Sequence, residues 1–267
     1  MAPGREVEAK AEAEDEHRPF VTTHLRPVLR HASHFGLLFG ATALLFSRVK
    51  RLRLHSGPTP WLAAARVVSA VHASITSVQA ARLIDASTFF SPSRYAASIG
   101  TRRNERADER LLHLSSGYFA YDLLYILLVE RDPKFVAHHL VSLTMWISAL
   151  HAQRGSELTN CCLLMGESTT TLLNLWWLAK RAKLEWSARL LSRAFTAGFL
   201  TMRVGVLPCY IIPFTREALV GDLETRVGRV RARLWAALVV LTMAGGVVWA
   251  RSLVEGLLKD LRRARVK

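Results

Sequence analysis

FVAHHLVSLTMWISALHA, residues 135–152, is the stretch that decides the fold of this chain. It runs for about the ~20 residues a helix needs to cross the ~30 Å hydrocarbon core of a bilayer. No Asp, Glu, Lys or Arg interrupts it, and apolar residues dominate it. It therefore reads as a membrane span. Near its start stand two adjacent histidines, His138 and His139. Polar and ionisable groups in lipid are costly, so they mark interior faces, cavities or functional sites. The pair raises the question of what those imidazoles face.

Working outward, six further segments read as spans: 31–47, 60–84, 111–129, 157–178, 190–212 and 233–255. The predicted fold class is an all-α polytopic transmembrane helix bundle of six to seven spans, within limits of five to eight. The first segment is short and enters with His31 and His34, and the second carries Arg66, His72, Gln79 and Arg82. The third, fifth and last carry the clearest pattern. The expected domains are a disordered acidic tail (1–27), a first span with a basic loop (31–56), a membrane domain (57–258) and a basic tail (259–267). The opening MAPGREVEAKAEAEDEHRP lacks the apolar core of a secretory signal.

Composition fits a membrane protein. Of 267 residues 51% are apolar and mean hydropathy is +0.18, yet formal charge is +15. Nucleic-acid binding would place the basic residues in a stripe with aromatics. Here they cluster between apolar runs, as in RVKRLR (48–53), KRAK (180–183) and RRARVK (262–267), which is the loop pattern of polytopic proteins. Nucleic acid is accordingly not an expected partner. Sixteen Lys and Arg fall on one side of the expected spans and seventeen on the other, so charge asymmetry leaves orientation open. Cys161, Cys162 and Cys209 lack metal-ligand spacing and read as buried thiols. In the last span Gly245 and Gly246 suit close helix contact, within the chain or between copies in a homo-oligomer.

Polar residues recur at helical spacing inside several spans. Ser115, Tyr118, Asp122 and Tyr125 form one stripe of the third, and Asn160, Glu167, Thr171 and Asn174 form one of the fifth. The second offers His72, Thr76 and Gln79, and the sixth Thr196, Arg203 and Tyr210. Four stripes on apolar bodies predict a polar centre within the bundle. The plainest arrangement pairs Arg203 with Asp122 or Glu167. Adjacent helical residues point about 100° apart, so one histidine is expected to face the centre. That is His138, which shares a face with Ser142 and Met145, leaving His139 to bond a neighbouring helix. No HxxxH or HxxE pair accompanies them, and no metal is expected.

The residues quoted carry a resemblance. HHLVS (138–142) resembles the double-histidine motif of the TLC-domain family, which includes the ceramide synthases. SGYFAYDLLYIL (116–127) resembles that family's preceding helix, and GESTTTLLNLWWLAK (166–180) resembles a later segment of its non-synthase members. The likeness spans roughly 57–258. It departs from the synthases in having one acid, Glu167, where they carry an acid-rich helix, and in lacking a homeobox-like extension. The resemblance implies an integral membrane protein of lipid homeostasis, in the endoplasmic reticulum, binding or remodelling a lipid or acyl chain in an intramembrane polar pocket. Tyr118, Tyr125, Ser142, Asn174 and Arg203 are the ligand-binding candidates. An alternative is an acyl-CoA-dependent N-acyltransferase, with acyl-CoA as co-substrate. There His138, His139, Asp122 and Glu167 would be catalytic, with His138 as base or nucleophile. A further alternative is a proton-coupled carrier.

Overall fold

The computed structural model describes residues 20–48 and 60–265. The acidic stretch up to residue 19 and most of the expected basic loop lie outside them. Among the described residues the chain is helical, with a lone bridge between Arg103 and Arg154 standing in for any sheet. Seven long helical units account for the expected spans. They are α1 (Arg26–Arg48), α2 (Pro60–Leu83), α5 (Arg106–Tyr125), α6 (Pro133–Ala152), α7 (Ser156–Arg181), α8 (Glu185–Phe199) running on into α9 (Leu207–Val220), and α11 (Arg229–Arg265). Short helices α3 (Ala86–Phe89), α4 (Pro92–Ser98) and α10 (Leu223–Val227) cap one end. Residues 20–27, expected as the end of a disordered tail, are helical: a π-helical turn (Val21–Leu25) leads into α1, and His24 is buried against His113.

Among the described residues five units are long and apolar enough to cross a membrane: Pro60–Leu83, Arg106–Glu130, Pro133–Ala152, Glu185–Val220 and Arg229–Leu258. The chain is an all-α polytopic membrane bundle. Helices α1 and α7 have the length but not the hydropathy. For α7, expected among the clearest spans, the reason is visible in its burial. Asn160 and Asn174 are fully buried and Glu167 is 7% exposed. The polar groups that lower its hydropathy face protein, where partners exist, rather than acyl chains.

Local sequence explains the helix ends. Asp132 caps α6 by accepting from the Lys134 backbone N–H at 2.9 Å, with Pro133 in the first turn, where its missing N–H costs nothing. Glu105 and Asp108 form a reciprocal capping box on α5. Packing is closest where side chains are smallest. A Cβ on Gly117 of α5 would stand 2.8 Å from Val28 O and 2.9 Å from Ala32 N, so α1 meets α5 backbone to backbone. Gly155, at φ +89°, lets the chain turn into α7 against the ring of Trp235, whose indole N–H donates to Ser148 at 2.9 Å.

The capped end is held by a polar clasp. Arg102 pairs with Asp108 at 2.6 Å, Asn160 donates to the other Asp108 oxygen at 2.9 Å, and Asn104 bonds both Ala149 O and Ser156 N at 3.0 Å. Helices α5, α6 and α7 are thus tied at one end. All three cysteines are free, but Cys209 is exposed rather than buried, because it lies on the outer face of α9. Gly246 faces Arg203, with 3.9 Å between an added Cβ and the Arg203 Cβ, while Gly245 looks out.

Candidate functional site

Away from the clasp the bundle holds a cavity of about 330 Å³, near the lower end of the ~300–1,000 Å³ typical of ligand pockets. Helices α2, α5, α6, α7, α8 and α11 all contribute to its wall. So do two π-helical stretches, Ile126–Glu130 after α5 and Leu200–Val206 between α8 and α9. Its lining includes the apolar Leu173, Phe195, Phe199, Trp249 and Leu253 together with ionisable and hydrogen-bonding groups.

Among the polar lining groups, His139 Nε2 lies 2.8 Å from Asp122 Oδ2, and both side chains are largely buried, 7% and 14% exposed. His139 Nδ1 donates to Phe135 O, one turn earlier on α6, at 2.8 Å. Both ring nitrogens therefore face acceptors, which fixes the ring and leaves it no free lone pair. His138 also lines the cavity, its ring edge-on to His139 and to Trp249 at centroid distances of 5.4 Å. It makes no hydrogen bond among the described residues. The expected division of labour is met in that His138 lines the cavity and His139 bonds the neighbouring α5 through Asp122, but His139 lines the cavity as well. Both histidines reach the cavity, because its wall wraps around α6, and Asp122 orients His139 rather than His138.

Glu167 lies beside His72, with 3.9 Å between Oε2 and Nδ1, and His72 stacks on Tyr118 at 3.8 Å. Asn174 donates to Ser69 at 2.9 Å from α7 to α2. Arg203, on the second π stretch, is 8% exposed and donates to Gly166 O at 3.0 Å, with its guanidinium 5.7 Å from the Phe199 ring centre. The expected pairing with Asp122 or Glu167 is not made: among the described residues no carboxylate forms an ion pair with Arg203. Arg66 and Glu130 meet at 3.8 Å on the cavity wall. Arg66 and Arg181 lie over the Trp177 ring at 5.9 and 5.2 Å, and Lys180 over Trp176 at 5.3 Å, so of the KRAK cluster Lys180 touches the cavity wall, through Trp176.

Of the expected site residues, Tyr118, Tyr125, Asp122, His138, His139, Glu167, Asn174 and Arg203 line this cavity. Ser142 does not. One turn along α6 from His138, it borders a separate void of about 40 Å³ that shares Phe119, His138, Glu167 and Arg203 with the larger one. The stripes also reach less far than their spacing suggests. Asn160 serves the clasp, Thr76 bonds its own backbone at His72 O, Gln79 is exposed, and Tyr210 donates to Phe89 O. Thr171 meets Ser74 at 3.1 Å on the α2 face, and Thr169 and Thr170 line the cavity instead. Reading the sequence missed Arg66, Glu130, Phe135 and Trp249. Arg66 was visible as a cation within a span, and Glu130 stands one residue past an expected boundary. Trp249 sits in a segment whose uniform apolarity hides which face turns inward.

Among the described residues no group of three or more His, Cys, Asp or Glu is placed to hold a metal ion. No curated protein matches the chain. The family model of the TLC domain matches residues 63–253, from the start of α2 to the cavity residues of α11. That match covers well over half of a chain with five helical units apolar enough to cross a membrane among its described residues: this integral membrane protein belongs to the TLC-domain family.

Proposed function

We propose that the protein serves membrane lipid homeostasis by holding a lipid or acyl chain in the 330 Å³ cavity, and that it does so in the endoplasmic reticulum. The observation carrying this reading is the mixed lining of the cavity, apolar and polar groups together. Phe195, Phe199, Leu173 and Leu253 suit an alkyl chain, while Asp122, His138, Asn174 and Arg203 suit a polar end. An amphiphile in such a cavity has both ends satisfied, and few other ligands do. Mass spectrometry of lipids carried through purification tests it: one lipid class retained at about one per protein supports the reading, and a bulk-membrane profile refutes it.

A second reading, N-acyl transfer from acyl-CoA to an amine, is favoured by one observation: the imidazole of His138, which makes no hydrogen bond among the described residues, lines a pocket whose Trp176 carries Lys180 over its ring. The amine nitrogen would bond the thioester carbonyl carbon as the carbon–sulfur bond breaks. The amine's proton would pass through His138 to the departing CoA thiolate. Lys180 would attract the CoA phosphates. Purified protein given acyl-CoA and an amine should form amide, and His138→Ala should abolish it without affecting folding. Equal rates in the two proteins refute this reading and leave the first standing.

A further inference from the structure

We infer that the polar end of the bound amphiphile is an anion, a carboxylate or phosphate, and that Arg203 is its anchor. This rests on the reading of the cavity as a lipid site and adds the chemistry of the headgroup. A guanidinium has five N–H donors. Here one nitrogen, Nη2, donates to Gly166 O, while Nε is buried without any partner. A buried guanidinium without a hydrogen-bonded counter-ion is costly; Glu167 acts on Arg203 through space only, and among the described residues the acids around the cavity make their closest contacts with other groups. Asp122 is held by His139 at 2.8 Å, Glu130 by Arg66 at 3.8 Å, and Glu167 leans to His72 at 3.9 Å. What the site lacks, among the described residues, is an anion in hydrogen-bond contact with the Arg203 guanidinium.

Position supports the same conclusion. Arg203 borders both the 330 Å³ cavity and the 40 Å³ void, so it stands at the inner limit of the larger space. Phe195 and Phe199 precede it on the same helical unit and line the same cavity, where an alkyl tail would lie. Gly166 is what lets the guanidinium lie on α7, since a Cβ there would come within 3.2 Å of Nη2.

Equilibrium binding of tritiated oleate and oleyl alcohol to the full chain in detergent micelles separates charge from chain. The wild type should bind oleate at least about tenfold tighter than the alcohol, the scale of a charge-assisted hydrogen bond. Arg203→Gln should bring the two within about twofold by weakening oleate alone, and Arg203→Lys should keep part of the preference. Gly166→Ala, which retains the charge but displaces it, should fall between and serves if Arg203→Gln fails to fold. Millimolar acetate or inorganic phosphate should not compete. Saturable but equal binding of both ligands overturns the inference while leaving the lipid cavity intact. Competition by the small anions also overturns it, pointing to a soluble ligand. No saturable binding of either ligand sinks the lipid reading itself, and the anion inference with it.

Discussion

Removing the carboxylate of Asp122 tests the centre of the site. Its Oδ2 lies 2.8 Å from His139 Nε2, between side chains 14% and 7% exposed. Breaking a fully buried pair by deleting one partner costs roughly 3–5 kcal/mol. The exposed fraction of Asp122 faces a cavity roomy enough for water, which screens the orphaned partner, so about 2–3 kcal/mol is expected for Asp122→Ala. For a chain of this size that is a fall in Tm of about 4–12 °C, read by thermal unfolding in detergent. Asp122→Asn keeps a carbonyl oxygen that His139 can donate to, and should cost about 1 kcal/mol. His139→Ala should cost about as much as Asp122→Ala. Because the two side chains serve one contact, the double variant should lose less than the sum of the singles by about 1–2 kcal/mol. Additivity within about 0.5 kcal/mol would refute the pairing as an energetic unit.

Other consequences follow from particular contacts. Gly117→Ala forces a Cβ onto the backbone of α1 at Val28 and Ala32, and should cost about 2–3 kcal/mol or abolish the folded monomer in size-exclusion chromatography. Unchanged stability would contradict the close crossing. Asn160→Ala leaves Asp108 with one donor fewer and should lower stability by about 1–2 kcal/mol, while oleate affinity stays the same. A change in affinity would place Asn160 at the cavity after all. Glu167→Gln removes a like charge from the wall of the proposed anion site and should tighten oleate binding severalfold. Weaker binding would show that Glu167 itself holds the ligand.

The long apolar runs made the helical fold legible, because crossing a bilayer constrains length and polarity at once. Seven segments, including the weak second one with Arg66 and His72, correspond to seven long helical units. What the runs concealed lies in the connections and contacts. Helices α3 and α4 are too short to carry a periodic signal, and the clasp around Asp108 depends on residues that share no helix. The histidine assignment turned on a detail that spacing does not encode. A wall that curves around α6 can take both members of an adjacent pair, and the carboxylate went to the one already held by its own helix at Phe135 O.

The polar stripes failed for a related reason, which also says why the cavity sits where it does. A regular α-helix keeps residues seven apart near one face, so Asn160 and Glu167 do share a side of α7. They lie about 10 Å apart along the axis, however, and the clasp takes one while the cavity takes the other. Thr196, Arg203 and Tyr210 have the same spacing but no common face, because the π-helical stretch Leu200–Val206 intervenes. Inserting one residue turns everything beyond it by about 100°. Arg203 is thereby turned to the cavity while Tyr210 packs on Phe89. A second π stretch on the cavity wall, Ile126–Glu130, does the corresponding job after α5, where Glu130 meets Arg66. Both insertions weaken the backbone ladder, and both occur where a charged side chain enters the cavity. At those two places the bundle gives up helical regularity beside the cavity, as expected where the position of a charge matters more than the stability of a turn; the remaining π turn, Val21–Leu25, lies outside the cavity wall.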